Sequence, residues 1–236
     1  MTAWAEIERV LTQALTLSRR PVAVAYRDRP PEGVAAFTGT EPSGCSFWRL
    51  AGAGQTFSTV PSDHHNCAIG SHTHAITLPP ARAGELDQTL GYMVGLGYVR
   101  MEEVPGIPVL PRTPGAVVYA PLGDTPVEPD VVLVAGRPGR LMLLLEAARR
   151  AGVGTHSGLL GRPTCMALPA VLAGGAAASA GCVGNRVYTD LGDDELYVAV
   201  AGRDLERVAS ELATIVSAND TLAGYHRERR QTLATQ

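Results

Sequence analysis

The chain has 236 residues, of which 45% are hydrophobic, and a formal net charge of −3, so it can bury one sizeable core or two small, closely joined ones. Only 18% of the residues are charged, and neither sign clusters in a run longer than RERR near the C-terminus, which argues against a nucleic-acid partner. The longest apolar-rich run, LMLLLEAA, is far shorter than the ~20 residues that span a bilayer, and the N-terminus lacks an apolar signal segment. We therefore expect a cytoplasmic protein with no membrane partner.

The first predicted elements are a helix and a strand. Apolar residues that include Trp4, Ile7 and Leu11 recur near a period of 3.6 at the N-terminus, which is typical of an amphipathic helix. The run PVAVAY follows as a strand. Further along the chain, GAVVYAPL and DVVLVAG are predicted as two more strands.

Two later segments, residues 131–152 and 197–220, share one pattern: an apolar β-branched run, then the sequence VAGR, a short turn and an amphipathic helix. A weaker third copy covers residues 75–98, where a predicted strand is followed by a proline at the helix entry. The repeated units predict an α+β fold with an internal duplication. We expect two similar α/β halves packed as one compact unit, with mixed sheets and helices on one face.

The boundary between the predicted halves falls in APLGDTPVEPD, residues 120–130, where three prolines and three acidic residues interrupt two strands. The N-terminal half, residues 1–124, then contains Cys45 and Cys67. The C-terminal half, residues 125–236, contains Cys165 and Cys182. Each half thus carries one pair of cysteines.

The four cysteines are the main candidates for a site. A reducing cytosol disfavours disulfides and leaves buried thiols, catalysis or metal binding. Each cysteine lies next to glycine or another turn former, and turn amides can hydrogen-bond thiolate or sulfide. No zinc knuckle of the Cys-x2-4-Cys type is present. The pattern favours one [4Fe–4S] cluster at the junction of the halves, with zinc or no cofactor as alternatives; the predicted metal and cofactor ligands are Cys45, Cys67, Cys165 and Cys182.

The segment HHNCAIGSHTH, residues 64–74, places four histidines around Cys67. We expect His64 to act beside the cluster as a catalytic proton donor, with Asp63 orienting its ring and His65 pointing away. On a strand, His72 and His74 would face the same side. The competing interpretation is that these histidines are solvated loop residues and hydrogen-bonded packing.

Arg186 follows Cys182 closely and is the second candidate catalytic residue. Its guanidinium could pair with a cluster or with a substrate carboxylate or phosphate, or it could be an exposed arginine at the start of a strand. The cluster would support an oxidoreductase or a lyase acting on a small molecule, with a small-molecule substrate or a redox partner. A homodimer is compatible with the sequence.

Two other functions compete with the iron–sulfur hypothesis. The first is a non-redox protein that binds a small anion between the halves, with core cysteines and Arg186 as the anchor. The second is a hydrolase or transferase in which Cys67 is the nucleophile and His64 or His65 is the base. Nucleotide and serine-hydrolase loops are absent from the sequence.

Two motifs carry a family resemblance. A D-H-x-x-C-x-x-G region and a C-x-G-x-R-x-Y region, in this order along the chain, are similar to the prokaryotic family called domain of unknown function 169, over residues 5–215. The matching positions are Asp63, His64, Cys67 and Gly70, and then Cys182, Gly184, Arg186 and Tyr188. The resemblance implies a bacterial or archaeal cytosolic protein whose recurrent cysteines are candidate ligands, in a family without a settled activity. The chain departs from the common pattern by having Ala68 after Cys67.

Overall fold

The computed structural model describes residues 3–234 and has an α+β fold built on one mixed, seven-stranded sheet. The strands are β1 (Val22–Arg27), β2 (Phe57–Thr59), β3 (Ala116–Pro121), β4 (Val131–Gly136), β5 (Thr155–Leu160), β6 (Ala176–Ser179) and β7 (Leu196–Ala201). The helices are α1 (Ala3–Leu15), α2 (Ser46–Gly52), α3 (Ala68–Thr73), α4 (Glu85–Gly95), α5 (Pro138–Arg150), α6 (Ala167–Val171), α7 (Val183–Thr189) and α8 (Gly202–Ala234).

The strand order is β2-β3-β1-β4-β7-β6-β5. Neighbouring strands are antiparallel except for the parallel pair of β5 and β6. β1 pairs with β3 on one side and with β4 on the other, so the sheet is continuous across the predicted boundary of the halves. The internal duplication is not shown and stays a prediction.

The two segments that carry VAG form the predicted strand–helix units, β4–α5 and β7–α8, and their strands are antiparallel neighbours. A close approach explains the glycine of the second unit. A Cβ added at Gly202 would lie 1.8 Å from the carbonyl oxygen of Pro129, and the Gly202 amide donates a hydrogen bond of 2.8 Å to the carbonyl of Asp130. A side chain at this position would push the start of α8 away from the sheet.

The strand predicted at the start of the third strand–helix unit, residues 75–98, is wrong, because residues 75–79 form no strand. Pro79 and Pro80 remove two of the amide donors that a strand would need for pairing. The chain forms a short 3-10 turn at Pro80–Arg82 instead, and the predicted helix follows as α4.

Helices cover both faces of the sheet, which corrects the expectation of helices on one face. One core cluster joins α1, α5 and α8 to residues such as Val132 and Val198. The other joins α2 and α6 to residues such as Leu133 and Ala199. All residues of β3 and β4 are buried, as expected of strands packed on both sides.

Within residues 3–234, no helix combines the length and the apolar character needed to cross a membrane.

Candidate functional site: a cavity lined by four cysteines

Each cysteine lies at the entry to a helix. Cys45, Cys67 and Cys182 directly precede α2, α3 and α7. Cys165 lies in the 3-10 turn Thr164–Met166 that leads into α6. All four are free thiols of intermediate exposure, and all four line one cavity of about 310 Å³. The structure therefore brings together cysteines from four separate segments.

The rest of the cavity wall is mainly apolar. It includes Leu90 and Met93 of α4 and Val99 and Ile107 of the segment that follows. The volume is in the range of small-molecule sites, which begins at about 300 Å³. Besides the cysteines, the polar side chains of the lining are Ser43, Asn66, His74, Glu85, Thr89, Tyr98, Arg162, Thr164, Asn185 and Tyr188.

Three of the thiols have neutral hydrogen-bond partners. Ser43 Oγ lies 3.0 Å from Cys45 Sγ, and the amide of Gly70 donates to Cys67 Sγ over 3.2 Å. The hydroxyl of Thr73 donates to the sulfur of Cys165 over 3.2 Å. These contacts hold the sulfur atoms in place without adding a positive charge beside them.

Burial is the main reason why the thiols resist deprotonation. It raises the pKa of Cys45 to about 11 and also raises the pKa of Cys67 and, more strongly, that of Cys165. A negative charge on a neighbouring cysteine raises these pKa values further. At neutral pH these three thiols keep their protons, so they are weak nucleophiles.

The predicted [4Fe–4S] cluster is wrong. In the part of the chain that the structure describes, no group of three or more His, Cys, Asp or Glu side chains could hold a metal ion. Cys45, Cys67, Cys165 and Cys182 line one cavity. They do not form a group that could hold the predicted cluster.

His64 lies behind the cavity wall. It is 2% exposed, its Nε2 atom lies 2.8 Å from Thr59 Oγ1, and burial lowers its pKa well below the ordinary value. The structure does not show the expected orientation by Asp63: the Nδ1 atom of His64 has no hydrogen-bond partner, and the Asp63 carboxylate accepts from the amide of Val60. The role of His64 as a proton donor stays a prediction.

His72 and His74 do not lie on a strand. His72 belongs to α3 and His74 is its C-terminal cap, so they do not share one face. His74 lines the cavity and is 2% exposed. Its Nδ1 atom lies 2.9 Å from the carbonyl oxygen of Gly70, its Nε2 atom lies 3.5 Å from the hydroxyl of Tyr26, and burial lowers its pKa to about 4.

The sulfur of Cys67 has no histidine side chain as a partner. Its sulfur accepts from the amide of Gly70, and within residues 3–234 no hydrogen bond joins it to His64 or His65. Together with its raised pKa, this geometry does not support the predicted nucleophile.

Arg186 lies outside the cavity wall. Its guanidinium donates to the backbone carbonyls of Ala180, Gly192 and Glu195, and it thereby ties the turn after α7 to the turn before it. A substrate-binding role for Arg186 stays a prediction. The arginine that does line the cavity is Arg162, which the sequence analysis missed.

Arg162 is already engaged by its neighbours. Its guanidinium donates to the carbonyl of Tyr98, lies 3.3 Å from the carboxylate of Glu103 and stacks 5.7 Å from the centre of the Tyr98 ring. Its backbone has a φ of 72°, which is uncommon for a residue with a side chain. This backbone conformation depends on the fold around it, so no local sequence signal indicated the position.

The family model of domain of unknown function 169, described as uncharacterised ArCR, matches residues 10–211. The match confirms the resemblance seen in the two motifs. No curated protein and no solved structure matched the chain.

Proposed function

The chain belongs to the domain-of-unknown-function 169 family, whose description assigns no activity, and we propose that it binds a small, largely apolar molecule in the four-cysteine cavity. The observation that carries this proposal is the cavity itself. It has about 310 Å³ of space, its walls come from both predicted halves of the chain, and they are mainly apolar. Concave apolar sites with a few polar groups are typical of small-molecule binding.

The charges at the cavity favour a neutral ligand over the small anion of the second sequence hypothesis. The charged side chains among the lining residues are Glu85 and Arg162. Glu85 pairs with Arg82 over 2.5 Å, and Arg162 pairs with Glu103 over 3.3 Å. An anion in the cavity would thus meet no uncompensated positive charge, and burying it would cost free energy.

The cysteines contribute shape and polarisable surface. A protonated cysteine behaves as a small hydrophobic side chain with a weak donor, which suits an apolar ligand. Because burial raises the pKa of Cys45, Cys67 and Cys165, these thiols would hold the ligand without attacking it at neutral pH.

A fragment screen tests the proposal. Small neutral aromatic and alicyclic compounds should raise the melting temperature of the protein, because a ligand that binds the folded state stabilises it. In the variant Met93→Trp, where the indole would fill the cavity, the ligand-induced shift should be lost. Val94→Trp is the matched control, because Val94 is the next residue of α4 and does not line the cavity.

The screen contradicts the proposal if no neutral compound of cavity size raises the melting temperature. The proposal is also contradicted if the compounds raise the melting temperature of Met93→Trp as much as they raise that of the wild type and of Val94→Trp.

A further inference from the structure

Asn185 presents an amide without a partner to the cavity. The side chain is 1% exposed and lines the four-cysteine cavity. Neither its Nδ2 nor its Oδ1 atom has a hydrogen-bond partner. Buried polar atoms are normally paired, so an orphaned amide at a cavity wall indicates that something else completes it.

Asn185 differs from the other buried side chains with an orphaned atom. Within residues 3–234 these are Trp48, His64 and Tyr119, each with one orphaned atom. None of the three lines the cavity. Asn185 alone among these four side chains lines the cavity, and both its donor and its acceptor lack a partner.

The nearest polar groups to this amide are already engaged. Burial raises the pKa values of the Cys45 thiol and the Tyr197 hydroxyl, and a hydrogen bond from the Asn185 side chain to the ionised form of each group acts in the opposite direction. However, the Tyr197 hydroxyl donates to Thr189 Oγ1 over 3.1 Å, and the Cys45 sulfur lies 3.0 Å from Ser43 Oγ. While both groups stay protonated, neither polar atom of the Asn185 amide has a hydrogen-bond partner.

From this arrangement we infer that Asn185 anchors the ligand, and that the ligand carries a neutral, planar donor–acceptor pair such as a carboxamide or a lactam. The inference rests on the proposed function and names its ligand class. An asparagine amide has a donor and an acceptor in one plane, and a second amide matches both. A carboxylate offers acceptors alone, so it would leave Oδ1 unpaired and would bring a charge that Arg162, paired with Glu103, does not compensate.

The remaining contacts of Asn185 allow a clean test. Its backbone carbonyl accepts from Thr189 Oγ1 over 2.8 Å, and this bond does not involve the side chain. A leucine side chain has almost the same shape as an asparagine side chain, so Asn185→Leu removes both unpaired polar atoms with little change in packing. It should raise the melting temperature, since a buried unpaired amide is destabilising, and it should abolish the preference for amides.

The experiment compares four probes of one shape by ligand-observed NMR titration with the full chain: benzamide, acetophenone, ethylbenzene and benzoate. The wild type should bind benzamide about tenfold more tightly than ethylbenzene, as one or two net hydrogen bonds allow. Acetophenone should lie between them and benzoate should bind weakest. Asn185→Leu should bind benzamide and ethylbenzene alike.

Asn66→Leu is the matched control. Asn66 also lines the cavity, but its Nδ2 atom already donates to the carbonyl of Glu41 over 2.9 Å. This variant should keep the preference for benzamide.

The possible results separate the two proposals. If ethylbenzene binds and benzamide binds no better, or if Asn185→Leu keeps the preference, the anchor is overturned while the cavity remains a binding site. The wild-type comparison decides this even if Asn185→Leu does not fold. If none of the four probes binds, the proposed function itself fails.

Discussion

Thr73 and Cys165 are 92 positions apart in the chain, yet the Thr73 hydroxyl donates a hydrogen bond of 3.2 Å to the Cys165 sulfur. The contact connects α3 to the turn before α6, and so it joins the two cysteine-bearing parts of the chain at the cavity. This hydrogen bond therefore links α3, which forms one wall of the cavity, to the C-terminal part of the fold.

The Thr73 hydroxyl also lies 3.0 Å from the carbonyl oxygen of Gly70. Replacing Thr73 by valine should therefore lower the free energy of unfolding by at least about 1 kcal/mol, the usual net value of one hydrogen bond. Because this hydroxyl lowers the pKa of Cys165 while burial and neighbouring charges raise it, the variant should also slow alkylation of Cys165 at alkaline pH. Chemical denaturation and residue-resolved alkylation measure the two effects. The exposed Thr77 gives the control Thr77→Val, and equal effects of both variants would contradict the account.

The raised thiol pKa values predict a loss of stability in alkali. Unfolded cysteine loses its proton near a pKa of about 8.5, whereas folded Cys45 keeps it up to about 11. Between these values the folded state binds more protons than the unfolded state, so the free energy of unfolding falls as pH rises. Denaturation curves between the two pH values should show a shallower fall for Cys45→Ala than for the wild type. An equal slope would show that Cys45 deprotonates normally in the fold.

The buried histidines predict a loss of stability in acid. Burial lowers the pKa of His74 to about 4, whereas an unfolded histidine titrates near 6.5. Between these values the unfolded state binds more protons, so the free energy of unfolding decreases as pH falls. His74→Gln should weaken this dependence, and the exposed His226 gives the control His226→Gln. The account is contradicted if both variants keep the wild-type slope.

Arg186 should act on stability rather than on binding. Its guanidinium donates to three carbonyls, and bonds to charged groups contribute about 1.5–3 kcal/mol each, so Arg186→Gln should lower the free energy of unfolding by a few kcal/mol. Arg140→Gln, at an exposed position of α5, should have little effect. If Arg186→Gln instead keeps its stability and loses ligand binding, Arg186 is the anchor that the sequence suggested.

Much of the fold could be predicted because strong local patterns agree with it. The period of 3.6 around Ile7 and Leu11 matches α1, and the apolar runs match β1, β3, β4 and β7. The short strand β6 has the sequence AAAS, which carries no strand pattern of its own, and it forms because it pairs with β7. Helices cover both faces of the sheet because the strands are apolar on both sides, as the unbroken apolar runs of β3 and β4 indicate.

The location of the site was predictable and its chemistry was not. Turn-forming neighbours marked all four cysteines, and they do meet at one cavity. Whether they form a group that could hold a metal ion depends on how the fold places their side chains, and within residues 3–234 no such group is present. The importance of Asn185 is likewise visible only in the fold, where its amide is buried without a partner.

Alkylation of the four cysteines in the presence and absence of a bound fragment tests the central claim most directly. Each cysteine should be followed separately by mass spectrometry during reaction with N-ethylmaleimide, at a pH where the thiols react slowly, with and without saturating benzamide or ethylbenzene. If the ligand occupies the cavity, labelling of Cys45, Cys67, Cys165 and Cys182 should slow together, because all four line the same space. If the fragment binds but all four labelling rates stay unchanged, the ligand site lies elsewhere and the account is contradicted.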